Sequence, residues 1–187
     1  MTRTIIGLSG NLDRPSKTRA LVQTAVAAAA SRFQAVGAVF DLADFGPSLG
    51  SARRVEDLAS TARSALDVIL SADALIVASP VYKGSYTGLF KHLIDLIDPQ
   101  ALQGKPVLLA ATGGGDRHAL VIEHQLRPLF GFFEAQTLPT GVYAADRDFA
   151  DGQPSSSVLS DRLARAVDQF SPYFARRAQP EVFVLSA

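Results

Sequence analysis

The feature that most constrains the fold is an alternation of short apolar runs with longer stretches of helical spacing. Ile5-Ile6-Gly7-Leu8, Ala38-Val39-Phe40-Asp41-Leu42, Leu75-Ile76-Val77-Ala78 and Val107-Leu108-Leu109-Ala110-Ala111 read as strands. A short fifth strand is expected over Thr137-Leu138 and Gly141-Val142-Tyr143. Between the strands, apolar residues recur at helical spacing. They are Leu21, Val22, Ala25, Val26, Ala29 and Phe33 after about Ser16, then Val55, Leu58, Ala62, Leu66 and Ile69. Leu89, Leu93 and Leu96 or Ile97 follow, stopped by Asp98-Pro99. A fourth helix is expected from His118 to about Phe133, loop over 144–153, and a fifth helix through Leu159, Leu163, Val167, Phe170 and Phe174. A strand as continuously apolar as 75–78 needs cover on both faces. The pattern therefore predicts an α/β three-layer sandwich, a five-stranded parallel sheet with helices on both sides. For five such units the natural strand order is the flavodoxin-like 2-1-3-4-5.

The 187 residues suit one domain, since domains run roughly 100–200 residues. We take 1–187 as that domain, with a core over about 4–175 and a tail over 176–187. Lys plus Arg and Asp plus Glu are both 18, so neither nucleic acid nor an acidic membrane is expected as a partner. Cysteine is absent, which excludes disulfides, a thiol nucleophile and a thiolate metal site. Any redox chemistry must then run through a bound cofactor. No apolar run is long enough to span a bilayer, and Met1-Thr2-Arg3-Thr4 leads straight into a strand without a signal-peptide pattern; a cytoplasmic location is expected. His118 and His124 are six apart, a poor metal spacing, so no metal is expected. His92, between Lys91 and Leu93, is expected at the surface.

Ligands of open α/β sheets bind beyond the carboxyl ends of the strands, at the point where strand order reverses. Three loops of unusual composition occupy such places. The first runs from Ser9 through Gly10, Asn11, Leu12, Asp13, Arg14, Pro15, Ser16 and Lys17 to Thr18, and it opens a helix whose free N–H groups suit a phosphate. Ser16 equally suits a simple helix cap. The second, Ser79-Pro80-Val81-Tyr82-Lys83-Gly84-Ser85-Tyr86-Thr87-Gly88, offers glycines for close backbone approach and two tyrosine faces; the alternative is an ordinary turn with its rings in the core. The third, Thr112-Gly113-Gly114-Gly115-Asp116-Arg117-His118, presents backbone N–H groups. One phosphate pocket beside two backbone-rich edges suits FMN.

Ser79-Pro80-Val81-Tyr82-Lys83-Gly84-Ser85-Tyr86, Ala101-Leu102-Gln103-Gly104-Lys105 and Ala111-Thr112-Gly113-Gly114 also carry a family resemblance. The chain resembles the NADPH-dependent FMN reductases of the flavodoxin-like superfamily from Ile5 to about Phe174. Arg117-His118-Ala119-Leu120 with His124-Gln125-Leu126-Arg127-Pro128-Leu129 is similar to the reductases that supply two-component alkanesulfonate and methanesulfonate monooxygenases. The resemblance implies a phosphate site at Ser9, Asn11, Arg14, Ser16, Lys17 and Thr18. It implies a ring site at Pro80, Val81, Tyr82, Lys83, Gly84, Ser85, Thr112, Gly113, Gly114 and Gly115. It implies an NAD(P)H:FMN oxidoreductase, with NADPH or NADH passing hydride from nicotinamide C4 to flavin N5, and an FMNH2-dependent monooxygenase as partner in sulfonate sulfur assimilation. Lys83 and Arg117 are candidates for the phosphates of the nicotinamide cofactor. The family's usual Gly-Ser-x-Arg is here Gly10-Asn11-Leu12-Asp13-Arg14, which sets Asp13 beside the expected anion.

Pro128 has no N–H, and its ring conflicts with the carbonyl of His124, four residues earlier. The helix should kink or widen there, and a single-turn π-bulge is one solution. The resembled subgroup has such a bulge and uses flavin as an exchanging substrate, which makes His124 a candidate modulator of flavin exchange or of oligomer contacts. No side-chain acid or base is required for hydride transfer. Apolar Val182-Phe183-Val184-Leu185 suggests a homodimer or homotetramer contact. Rival readings are a reductase of quinones, azo dyes or metal oxyanions with tightly held FMN, a non-enzymatic electron-transfer flavodoxin, and a nucleotide-sensing or assembly module without turnover.

Overall fold

Successive side chains of a strand point to opposite faces, and here both faces are buried. The computed structural model describes residues 2–174. Its elements begin with β1 (Thr4–Ser9), α1 (Lys17–Phe33), β2 (Val36–Asp41), α2 (Ser60–Ser71), β3 (Ala74–Pro80), α3 (Gly88–Asp95) and β4 (Pro106–Gly113). A π-helical turn (Ile122–Leu126) leads into α4 (Arg127–Phe132), followed by β5 (Gln136–Thr137), β6 (Val142–Ala145), a hairpin of β7 (Phe149–Ala150) and β8 (Gln153–Pro154), then α5 (Ser157–Asp168) and α6 (Ser171–Phe174). The main sheet runs β2-β1-β3-β4-β5, with β6 also on β4, and every pair in it is parallel. This is the expected flavodoxin-like sandwich.

Leu75 and Val77 of β3 point into a core shared with α2, α3 and α4, together with Ile6, Leu8, Val107 and Leu109. Their neighbours Ala74, Ile76 and Ala78 point the other way, into the core under α1 and α5 with Leu21, Val22, Leu159 and Leu163. That two-sided burial is why the central strands show no polar alternation. Among the described residues no helix is long and apolar enough to cross a membrane.

Several element boundaries depart from the sequence expectation. The fifth strand is split: Leu138 still donates to the Val107 carbonyl (2.8 Å), but Pro139 cannot donate to a ladder, and pairing with β4 resumes at Val142. The stretch 144–153 is not all loop, since β6 runs to Ala145 and the β7–β8 hairpin folds back against α1 with Phe149 packed on the α1 core. Val55 lies in a separate 3₁₀ turn before α2, where the Asp57 carboxylate accepts from the backbone N–H groups of Arg53 (2.9 Å) and Arg54 (3.0 Å). The fifth helix ends at Asp168 because Pro172 cannot continue its ladder four residues on.

The expected continuous fourth helix is instead a 3₁₀ turn at Asp116–His118, the π-turn and α4. The Arg127 N–H reaches back five residues to the Ile122 carbonyl, which widens the helix where Pro128 would otherwise meet the His124 carbonyl. His92 is half-buried rather than superficial, and its Nε2 has no partner among the described residues. Val182-Phe183-Val184-Leu185 and the tail over 176–187 lie outside the described residues.

Candidate functional site

The strand register brings the three loops together. Ser9 pairs with Ala78 across β1 and β3, and Pro80 pairs with Thr112 across β3 and β4. Gly10 donates to the Ala78 carbonyl (2.7 Å), and Val81 to that of Thr112 (2.8 Å). The result is an open cleft of about 280 Å³ at the carboxyl end of the sheet. Loop one contributes Asn11, Asp13, Pro15, Ser16, Lys17 and Thr18, loop two Pro80, Val81 and Tyr82, and loop three Thr112, Gly113 and Gly114. Asp146, after β6, completes the lining.

Ser16 does cap α1, its Oγ accepting from the Arg19 N–H (3.3 Å). The cap leaves the backbone N–H groups of Lys17 and Thr18 without an acceptor among the described residues, at the positive end of a 17-residue helix. The Thr18 hydroxyl, buried, meets that of Thr112 at 2.6 Å and joins loops one and three beneath the cleft. Ser9 is buried one layer lower and donates to Asn11 Oδ1 (2.5 Å), while Asn11 Nδ2 donates to the Asp13 carbonyl (3.0 Å). Asn11 is thus held from both sides.

Arg14 turns the other way. Its Nε and Nη2 grip the two oxygens of Asp41 at 2.7 and 2.6 Å, and Nη2 also reaches Asp44 at 2.7 Å. It lines a neighbouring hollow rather than this cleft. Arg19 adds a third bond to Asp41 (2.8 Å), and the Ala43 N–H a fourth (3.0 Å). Burial of Asp41 pushes its carboxyl up, but the Arg14 bonds and the charges of Arg19 and Arg14 outweigh it and hold the group below the ordinary carboxylate range. The same bonds to Asp41 and Asp44 raise the Arg14 guanidinium. The expected phosphate contact therefore spends its charge anchoring loop one to the end of β2.

In loop two, Tyr82 and Ser85 exchange backbone hydrogen bonds (2.9 and 3.2 Å) around Lys83 and Gly84. Both central residues have positive φ, 53° and 85°, the requirement of a type I′ turn. The turn lifts Tyr82 into solvent at 62% exposure, with Lys83 and Gly84 exposed at its tip. Tyr86 instead packs against Phe90. Ser85 turns away from the cleft and donates to Gln125 of the π-turn (3.1 Å). Thr87 ties loop two to loop one by donating to the Gly10 carbonyl (2.9 Å) and capping α3.

In loop three, Gly113 leaves the room that the Tyr143 hydroxyl occupies, where a Cβ would collide, and that hydroxyl donates to the Gly115 carbonyl (2.5 Å). Burial, then the charges of Asp116 and Asp146, push the Tyr143 phenol up, so it stays a donor. The N–H groups of Gly114 and Gly115 have no acceptor among the described residues. Arg117 and His124 are exposed and outside the cleft lining, His124 on the π-turn. Asp146 and Arg147 were not singled out from sequence. Asp146 accepts from Lys17 (2.8 Å), and Arg147 holds Asp116 in two bonds of 3.0 and 2.6 Å. The available signal was three charges, Asp146-Arg147-Asp148, at the carboxyl end of a sheet strand.

The arrangement offers donors for one anion at α1 and for an electron-rich edge at loop three, with Tyr82 in the same lining. Comparison with known proteins agrees. Residues 3–150 match the family model described as NADPH-dependent FMN reductase. The chain is 48% identical over 176 residues to the NADH-dependent FMN reductase SfnF of Pseudomonas fluorescens, covering 94% of each. It is 46% identical over 175 residues to an FMN reductase (NADPH) of Pseudomonas aeruginosa, again covering 94% of each. Among solved structures it is similar to an oxidoreductase from Corynebacterium diphtheriae (TM-score 0.79, 34% identity, 92% of this chain and 97% of that one). The three loops gathered at one cleft, the parallel sheet that carries them and these relatives lead to one conclusion: the chain belongs to the NADPH-dependent FMN reductase family.

Proposed function

We propose that this NAD(P)H:FMN oxidoreductase handles FMN as a substrate that enters and leaves, and that it supplies reduced FMN to a partner monooxygenase in sulfonate metabolism. The observation that carries the first half is the cleft itself, which at about 280 Å³ is at the small end of ligand pockets. Because the cleft is open to solvent, a molecule seated on the three loops keeps an exposed side by which it can leave. The second half is supported by likeness to the SfnF and SfnE reductases of Pseudomonas, whose names give FMN as substrate and NADH as donor.

The residues present fit FMN. The free N–H groups of Lys17 and Thr18, with the Ser16 and Thr18 side chains and Asn11 close by, are the donors for its phosphate. Pro80, Val81 and Tyr82 form one wall for the ring, and Thr112, Gly113 and Gly114 the other. Arg14 and Ser9 act one layer back, by fixing loop one. When bound, the flavin supplies the hydride-accepting N5. The uncommitted N–H groups of Gly114 and Gly115 would serve as preorganised donors to negative charge on a ring edge held against loop three. Lys83 and Arg117, both exposed, remain the candidates for the phosphates of the nicotinamide cofactor. His124 acts through the π-turn, which Gln125 couples to loop two.

The test is NADPH and NADH oxidation by the purified protein with and without added FMN, followed by gel filtration. Turnover that saturates in free FMN, with little flavin retained, is the expected result. Retained flavin, with turnover only when a quinone or dye is added, would replace this reading with that of a reductase holding FMN tightly.

A further inference from the structure

Asp146 follows β6 directly and so stands at the carboxyl end of the strand beside β4. One carboxylate oxygen accepts from Lys17 Nζ at 2.8 Å. The other lies 3.8 Å from the position a Cβ on Gly114 would take. The carboxylate therefore lies between loop one and loop three, inside the cleft lining. Lys17, the one lysine in that lining, is further held by the Phe149 ring, 5.7 Å from its ammonium. Arg147 does not neutralise Asp146, because its guanidinium is committed to Asp116.

We infer that Asp146 stands in for an anion in the cleft, competing with the incoming phosphate for Lys17 and so weakening the hold on flavin. The inference rests on the reading of this cleft as the FMN site. A phosphate arriving at the N-terminus of α1 finds the nearest ammonium already paired, and a carboxylate that repels it. Both partners are well exposed, 42% for Lys17 and 61% for Asp146, so water and salt screen the pair and the competition is mild. A mild penalty suits a substrate that must leave after each turnover. It also explains how a loop with two uncommitted N–H groups at a helix end avoids becoming a permanent phosphate trap.

The test compares dissociation constants for FMN and for riboflavin, which lacks the phosphate, in wild type, Asp146→Asn, Lys17→Met and the double variant. Asp146→Asn should tighten FMN about three- to tenfold at low salt, leave riboflavin unchanged, and lose its advantage near 0.5 M salt, where the Debye length falls to about 4 Å. Lys17→Met should weaken FMN but not riboflavin, and in its background Asp146→Asn should gain less. Unchanged or weaker FMN binding in Asp146→Asn, with Lys17→Met still weakening it, overturns the inference alone. FMN binding indifferent to Lys17→Met also overturns the inference, since no ammonium is then competed for; FMN held no more tightly than riboflavin by the wild type removes the phosphate from this place, and the site reading falls with the inference. Riboflavin affinity reports that each variant is folded around an intact ring site.

Discussion

Replacing Asp41 by Asn should destabilise the protein by about 3 kcal/mol. The side chain is fully buried and accepts two bonds from Arg14, one from Arg19, one from the Ala43 N–H and a long one from Asn11 Nδ2 (3.4 Å). Charge-assisted bonds contribute roughly 1.5–3 kcal/mol each when shielded from water. The Arg14 side chain is 45% exposed, so its share is screened and enters well below that range. Arg19 is only 21% exposed and keeps most of its share. Asn preserves the shape and one acceptor, but it turns an N–H₂ toward a guanidinium. The total stays near the 3–5 kcal/mol typical of breaking a buried ion pair from one side. For a chain of this size that is a fall of roughly 6–12 °C in Tm, readable by urea titration and calorimetry at pH 7. The sign with pH follows from the lowered Asp41 carboxyl. The folded protein binds fewer protons there than the unfolded chain. The stabilisation is therefore complete above the unfolded value of about 3.9 and is lost as pH falls through the folded one. Asp41→Asn should flatten that acid limb. A variant within about 0.5 kcal/mol of wild type, or one with the acid limb intact, would refute the assignment of loop-one anchoring to this cluster.

Three further outcomes follow from the site. Gly113→Ala should drive a Cβ into the Tyr143 hydroxyl, displace loop three and weaken FMN binding by about tenfold, whereas Tyr143→Phe should lose only about 1 kcal/mol of stability; equal effects of the two would contradict the steric argument. A double-mutant cycle of Ser85→Ala and Gln125→Ala should give a coupling of about 0.5–1.5 kcal/mol in stability, and strict additivity would mean the π-turn does not hold loop two. His124→Ala should alter flavin release measured by stopped flow, or the assembly state measured by light scattering. If it changes neither, His124 has no role as a modulator.

Pattern alone reached the layers, because burial of both sheet faces imposes unbroken apolar strands that few architectures accept; the strand order was assumed as the natural one for five such units, and the structure has it. Pattern also reached a disturbance of the fourth helix, since the missing N–H of Pro128 is a local fact that four residues of helix geometry carry back to His124; kink and π-turn were both open, and the structure has the π-turn. The three loops were legible for the same reason: Gly84 and the glycines of 113–115 mark backbone that must bend or be approached closely. The split of the fifth strand at Pro139 and the end of the fifth helix before Pro172 carried local signals too, but weaker ones than the apolar spacing around them.

What the one-dimensional pattern could not decide is which charges meet. Arg14 sits in the expected phosphate loop by position, yet Asp41, 27 residues on, takes its guanidinium because β2 lies beside β1. Lys17 is claimed from 129 residues away by Asp146, across a sheet whose last strand ends at the cleft. Composition and spacing marked the three loops that line the cleft at the switch point, because those signals act over a few residues and one strand period. Only tertiary structure decided which of its cations stay open to a ligand, because ion pairing depends on distance in space, and distance in space is set by strand order.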